Sequence, residues 1–95
     1  MKIREIIEQE NCQGGVREYE LHLDCDCEEA FIQRLDHFGD LAYYRHFPRP
    51  FFKMTRKGVY QLKGVQGLSS LRLILFREEA GMLDEIRDMI EGISC

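Results

Sequence analysis

Three alternating segments joined by short glycine turns dominate the second half of the chain. The segments are 51–56, 59–65 and 70–76, and the turns between them contain Lys57-Gly58 and Gln66-Gly67. This spacing predicts an antiparallel meander, because strands joined by such short turns pair with their chain neighbours. In the last segment, both sets of alternating positions include apolar residues. This pattern indicates that the strand is partly covered on both of its faces. The chain is thereby restricted to folds that contain an antiparallel sheet.

The first half adds a strand with a clear polarity. Segment 16–25 places Tyr19, Leu21 and Leu23 on one side and acidic residues on the other, as expected for a half-buried strand. Residues 2–10 fit either a short helix or a strand. The turn-forming residues at 11–15 favour a hairpin between the two segments.

Two helices complete the predicted elements. Asp26 fits an N-cap and Glu29 completes a capping box, so a helix is predicted over residues 27–38 and ended by Gly39. Apolar residues at helical spacing predict a final helix over residues 79–93.

These elements follow the order ββαβββα. Short connections in the second half imply a sheet of about five antiparallel strands with both helices on one face. The expected fold class is therefore α+β, a two-layer sandwich. With 95 residues the chain forms a single domain, 1–95.

Composition excludes several classes of protein. The chain is 44% hydrophobic and 32% charged, as in ordinary globular proteins, and its longest unbroken apolar run is only 73–76. We therefore expect no signal peptide, no membrane span and a cytoplasmic location. Disulfides are not expected in that compartment.

The charges are segregated along the chain. Residues 41–77 contain eight basic residues and no acidic one, although the whole chain has a net charge of -4. Such a block predicts a surface for something anionic. A structural alternative remains, because strands are poor in acidic residues and the basic strands can pair with the acidic face at 18–24.

The segment 43–53 is the part of the basic block with the least structural explanation. Pro48 and Pro50 exclude a central strand there, and aromatic and basic residues alternate. Aromatic rings suit stacking while arginine suits phosphate or carboxylate. The predicted ligand-binding residues are Tyr43, Tyr44, Arg45, His46, Phe47, Arg49 and Lys53.

We therefore predict a non-enzymatic binding or protein-interaction module for an anionic small molecule or an acidic protein surface. The exposed aromatic residues also suggest a homodimer. Weak nucleic-acid binding is an alternative but is not the expectation, because the chain as a whole is acidic. No arrangement of nucleophile and base indicates catalysis, and no motif indicates a cofactor.

A second alternative is a redox or metal-binding role for Cys25 and Cys27. The two cysteines lie where a strand gives way to a helix, and a helix N-terminus lowers thiol pKa values. His22 is a further candidate metal ligand. Cys12 is predicted at the far end of the same strand, so a site with four cysteines is not expected.

Overall fold

The computed structural model describes residues 1–9, 16–76 and 81–93. These residues form an open antiparallel sheet of six strands together with two helices. The strands are β1 (Ile3–Glu8), β2 (Arg17–Leu23), β3 (Asp40–Tyr44), β4 (Phe51–Arg56), β5 (Tyr60–Val65) and β6 (Ser70–Leu75). The helices are α1 (Glu29–Arg34), which a 3-10 turn over Leu35–His37 continues, and α2 (Met82–Glu91).

The strands lie in the order β1-β2-β6-β5-β4-β3, and every neighbouring pair is antiparallel. The chain crosses from β2 through α1 to the far edge of the sheet, and β3 to β6 return strand by strand until β6 pairs with β2. Gly58 and Gly67 have positive φ in the turns that follow β4 and β5. The predicted hairpin, the meander and the α+β class are confirmed.

The strand count differs from the prediction of about five. Residues 40–44 form β3, which pairs with β4 so that Leu41 faces Met54 and Tyr43 faces Phe52. This strand is not among the predicted elements, because five residues give little alternation to detect. Pro48 and Pro50 lie in the loop after this strand and interrupt no ladder.

The first helix begins later than predicted, and the predicted capping box is wrong. The N-cap of α1 is Glu28, and no side chain caps it. The Cys27 backbone instead pairs with a distant loop: its N–H donates to the Leu68 carbonyl at 2.8 Å, and its carbonyl accepts from the Gly67 N–H at 2.9 Å. These long-range bonds keep Cys27 out of the helix.

The second helix lies inside its predicted range of 79–93, although residues 79 and 80 are outside the described part of the chain. None of the helices in residues 1–9, 16–76 and 81–93 is long and apolar enough to cross a membrane.

The two faces of the sheet have different neighbours. One face, called the inner face here, presents Leu21, Leu62 and Leu73, which are buried in one cluster with side chains from both helices. The helix residues in that cluster include Phe31, Ile32, Ile86 and Ile90. Both helices therefore cover the inner face, and the opposite or outer face is left without them.

Candidate functional site

Three basic side chains lie side by side on the outer face. Lys53 of β4 is the cross-strand partner of Lys63 of β5, and Lys63 is the partner of Arg72 of β6. All three alternate with buried inner-face residues, so they point away from the helices. These three residues are called the cationic row below.

The acidic residues compensate only one end of the cationic row. Arg72 is the cross-strand partner of Glu20, and its Nη1 lies 3.3 Å from Glu18 Oε1. Within the described part of the chain, neither Lys53 nor Lys63 forms an ion pair. Like charges opposite each other destabilise a sheet, so this arrangement is unfavourable for folding alone.

An aromatic cluster lies next to the cationic row on the same face. Tyr44 of β3 and Phe51 of β4 are cross-strand partners, and their rings stack with centroids 4.5 Å apart and planes 20° apart. Phe47 packs against Phe51 at 5.2 Å and meets Tyr44 edge-on at 6.2 Å. The three side chains remain 36 to 54% exposed, so the cluster presents ring surface to solvent.

A depression of about 550 Å³ joins the aromatic cluster to the cationic row. Its charged lining consists of Glu20, Lys53, Lys63 and Arg72, and its apolar lining includes Tyr44, Phe51, Val65 and Leu68. A volume of this size suits a small organic ligand. One wall is thus aromatic and the neighbouring wall is cationic.

The predicted ligand-binding residues divide between the two faces. Tyr44 and Lys53 line the depression, and Phe47 packs on its aromatic wall. Tyr43 instead points toward the inner face, where its hydroxyl donates to Gln66 Oε1 and Arg45 lies over its ring at 4.9 Å. Arg45 also forms an ion pair with Glu29 of α1.

The two remaining predicted residues, His46 and Arg49, are exposed in the loop after β3. The depression is lined by other residues. The structure therefore brings together three of the seven predicted residues, and the shared feature of those three is the outer face.

Sequence reasoning assigned Lys63 and Arg72 to structural patterning and so left them out of the site. The expected charge pairing with the acidic strand β2 is present for Arg72, which lies beside Glu18 and Glu20. Lys63 lies one strand further from β2 and takes no part in this pairing. Alternation in β4 and β5 puts one lysine near the middle of each strand, but only the register places the two lysines opposite each other.

The cysteines do not assemble a metal centre in the described residues. Cys27 is fully buried, and burial together with the nearby Asp26 and Glu28 raises the pKa of its thiol to about 12. Cys25 is disulfide-bonded, contrary to the expectation of free thiols, while Cys12 and Cys95 lie outside the described residues. A buried thiol with a raised pKa is a poor nucleophile and a poor metal ligand at neutral pH.

His22 lies on the outer face, where its Nε2 is 3.1 Å from Glu20 Oε1. Since Cys27 is buried in the core on the other side of the sheet, the two residues do not share a site. No group of three potential metal-binding side chains occurs among residues 1–9, 16–76 and 81–93.

The chain was also compared with proteins already known. It matches no protein family, no curated protein and no solved structure. Its function must therefore be argued from the outer face itself.

Proposed function

We propose that the chain is a small non-enzymatic binding module whose outer sheet face holds an anionic ligand or an acidic segment of a partner. The observation that supports this most is the cationic row, in which Lys53 and Lys63 lie in register without an ion-pair partner in the described residues. A bound anion would neutralise the repulsion between them and gain charge-assisted hydrogen bonds.

The other features of the outer face support binding rather than catalysis. Ser70 is the cross-strand partner of His22, and His22 Nε2 lies 3.1 Å from Glu20 Oε1. Among the described residues no side-chain hydrogen bond joins Ser70 to His22. A serine nucleophile needs a base within hydrogen-bonding reach. The three side chains are therefore not proposed as a catalytic group.

The alternative function through Cys25 and Cys27 has lost its main support. A reactive thiol requires exposure and a lowered pKa, whereas Cys27 is buried and its pKa is raised to about 12. Cys27 is therefore not proposed as a redox or metal-binding residue.

Two simple anions test the proposal. Inorganic tripolyphosphate and a peptide of ten glutamates are titrated into isotope-labelled protein, and the backbone amide shifts of β4, β5 and β6 are followed by NMR. We expect at least one of them to bind on these strands, with affinity that falls as salt is added. The double variant Lys53→Glu with Lys63→Glu should bind about tenfold more weakly or worse.

The matched control is Lys57→Glu, which makes the same charge change at an exposed position in the turn after β4. This variant should bind both anions as the unmodified protein does. If neither anion shifts the amides of β4 to β6, or if the control loses as much affinity as the double variant, the proposal is wrong.

A further inference from the structure

We infer that the anion held by the outer face is a nucleoside phosphate, with its base beside Phe51 and its phosphate on the cationic row. This inference rests on the proposed function and specifies its ligand. It follows from the direction of the aromatic stack, from the distance between the two walls and from the position of the uncompensated charge.

The aromatic stack points into the depression. Tyr44 and Phe51 are cross-strand partners, and their centroid distance of 4.5 Å is close to the spacing of neighbouring strands, ~4.8 Å, so the stack runs across the strands. The next position in this direction is Val65, the cross-strand partner of Phe51. Tyr44 covers one side of the Phe51 ring, and Phe47 packs against the same ring at a tilt of 47°. We place the base on the side away from Tyr44, above Val65.

We assign that space, called the ring slot below, to the planar ring of the base. The row of residues changes from two rings to the short side chain of Val65, and Tyr44, Phe51 and Val65 all line the depression. Leu68 lines the same depression and is 41% exposed, so it offers apolar contact at the edge of the slot. A base placed on Val65 would continue the stack against Phe51, an interaction that every base can make.

The distance from the ring slot to the cationic row matches the distance from base to phosphate in a nucleotide. Lys53 follows Phe51 by two residues and Lys63 precedes Val65 by two, so the cationic row runs parallel to the aromatic row at about 6.6 Å along the strands. The ribose of a nucleotide separates base and phosphate by a comparable length. Arg72 continues the row at the next strand, where it forms an ion pair with Glu18, so we place the phosphate on Lys53 and Lys63.

The distribution of charge favours this ligand over an acidic peptide. Glu18 and Glu20 compensate Arg72, so the excess positive charge lies at Lys53 and Lys63, directly beside the ring slot. A peptide with several carboxylates would use the charge and leave the slot unfilled. A ligand with one flat ring and adjoining negative charge uses both.

The same chemistry has two sources, a free nucleotide and a nucleotide within a single strand of nucleic acid. Calorimetric titrations with ADP, adenosine, inorganic pyrophosphate and the single-stranded oligonucleotide (dA)8 distinguish them. We expect ADP to bind about tenfold or more tightly than either adenosine or pyrophosphate, because only ADP engages both walls. An oligonucleotide that binds more tightly than ADP, with affinity that falls steeply with salt, identifies the single strand as the source. An oligonucleotide that binds no more tightly identifies the free nucleotide.

Variants separate the ring slot from the charge. Phe51→Leu should weaken ADP binding about tenfold and leave pyrophosphate binding unchanged, since only the stacking surface is lost. Phe76→Leu is the matched control at an exposed phenylalanine outside the depression, and it should change neither affinity. Val65→Phe, which fills the slot with a residue that strands accept, should abolish the advantage of ADP over pyrophosphate even if Phe51→Leu fails to fold.

The outcomes keep this inference apart from the proposed function. If pyrophosphate binds through the cationic row and ADP binds no better, the nucleoside phosphate is wrong and the anion site stands. If tripolyphosphate, the glutamate peptide, pyrophosphate and ADP all fail to bind, both proposals are wrong. If Phe51→Leu and Val65→Phe fold and leave ADP binding unchanged, the slot is not where the base lies.

Discussion

On the inner face of the sheet, the cross-strand partners Leu62 and Leu73 are both fully buried. One residue along on the outer face, the cross-strand partners Lys63 and Arg72 have the same charge. Because successive side chains of a strand point to opposite faces, the same two strands make a stabilising pair on one side and an unfavourable pair on the other. Burial explains the inner pair. On the outer face Arg72 has an opposite charge beside it in Glu18, whereas Lys63 has no ion-pair partner among the described residues.

The aromatic residues repeat this contrast. Phe52 is buried in the core, while its neighbour Phe51 is 36% exposed and stacks on Tyr44, which is also exposed. Each of these rings forgoes the free energy that burial of its exposed part would give. The outer face therefore combines two costs, unpaired like charges and exposed rings, at one depression. Sites that bind ligands commonly retain such costs.

The largest expected effect is on the alkylation rate of Cys27, which tests whether the inner face is closed to solvent. Cys27 lies in the core under that face. Since the pKa of its thiol is raised to about 12, almost none of it is thiolate at pH 8. We expect iodoacetamide to modify Cys27 on the order of 10³ times more slowly in the folded protein than in urea. Peptide mapping by mass spectrometry measures the rate at this residue. Comparable rates in the two states would show that the inner face is open to solvent.

The elements that lie on regular alternation could be predicted from the sequence, and those that depend on distant contacts could not. β2 and β4 to β6 follow alternating residues that belong to each strand itself. The start of α1 depends on backbone bonds between Cys27 and the loop at 67–68, which no local pattern reports.

The cationic row was missed for a related reason, the register between β4 and β5. A two-residue turn at 57–58 would place Arg56 opposite Val59 and therefore Lys53 opposite Leu62. The structure pairs Arg56 with Tyr60, one residue further, and this brings Lys53 opposite Lys63. A shift of one residue moves a whole set of side chains to the other face, so the row appears only when the register is known.

Neighbouring residues of β6 provide the second test. Leu73 is fully buried on the inner face, and Ile74 is half-buried on the outer face. We expect Leu73→Ala to lower the free energy of unfolding by about 2 to 5 kcal/mol, through lost burial and the cavity that remains. Ile74→Ala should cost roughly 1 kcal/mol, because its side chain has less contact to lose. Urea unfolding followed by circular dichroism measures both, and equal losses would remove the distinction between the faces.

The smallest expected effect is the one most specific to the outer face. Unlike the alanine substitutions above, Lys63→Glu is expected to raise the free energy of unfolding. Lys63→Glu replaces two like-charge pairs, with Lys53 and with Arg72, by two opposite-charge pairs. Since a cross-strand pair is worth a few tenths of a kcal/mol to about 1 kcal/mol, we expect the free energy of unfolding to rise by roughly 0.5 to 1 kcal/mol. Urea unfolding at low ionic strength measures the gain, which should shrink when salt is added.

Lys57→Glu, in the turn after β4, is the control and should leave the stability nearly unchanged. A stable variant that no longer binds tripolyphosphate would mean that Lys63 is kept for binding at a cost in stability, whereas a destabilised variant would mean that the lysine has a structural role in the sheet.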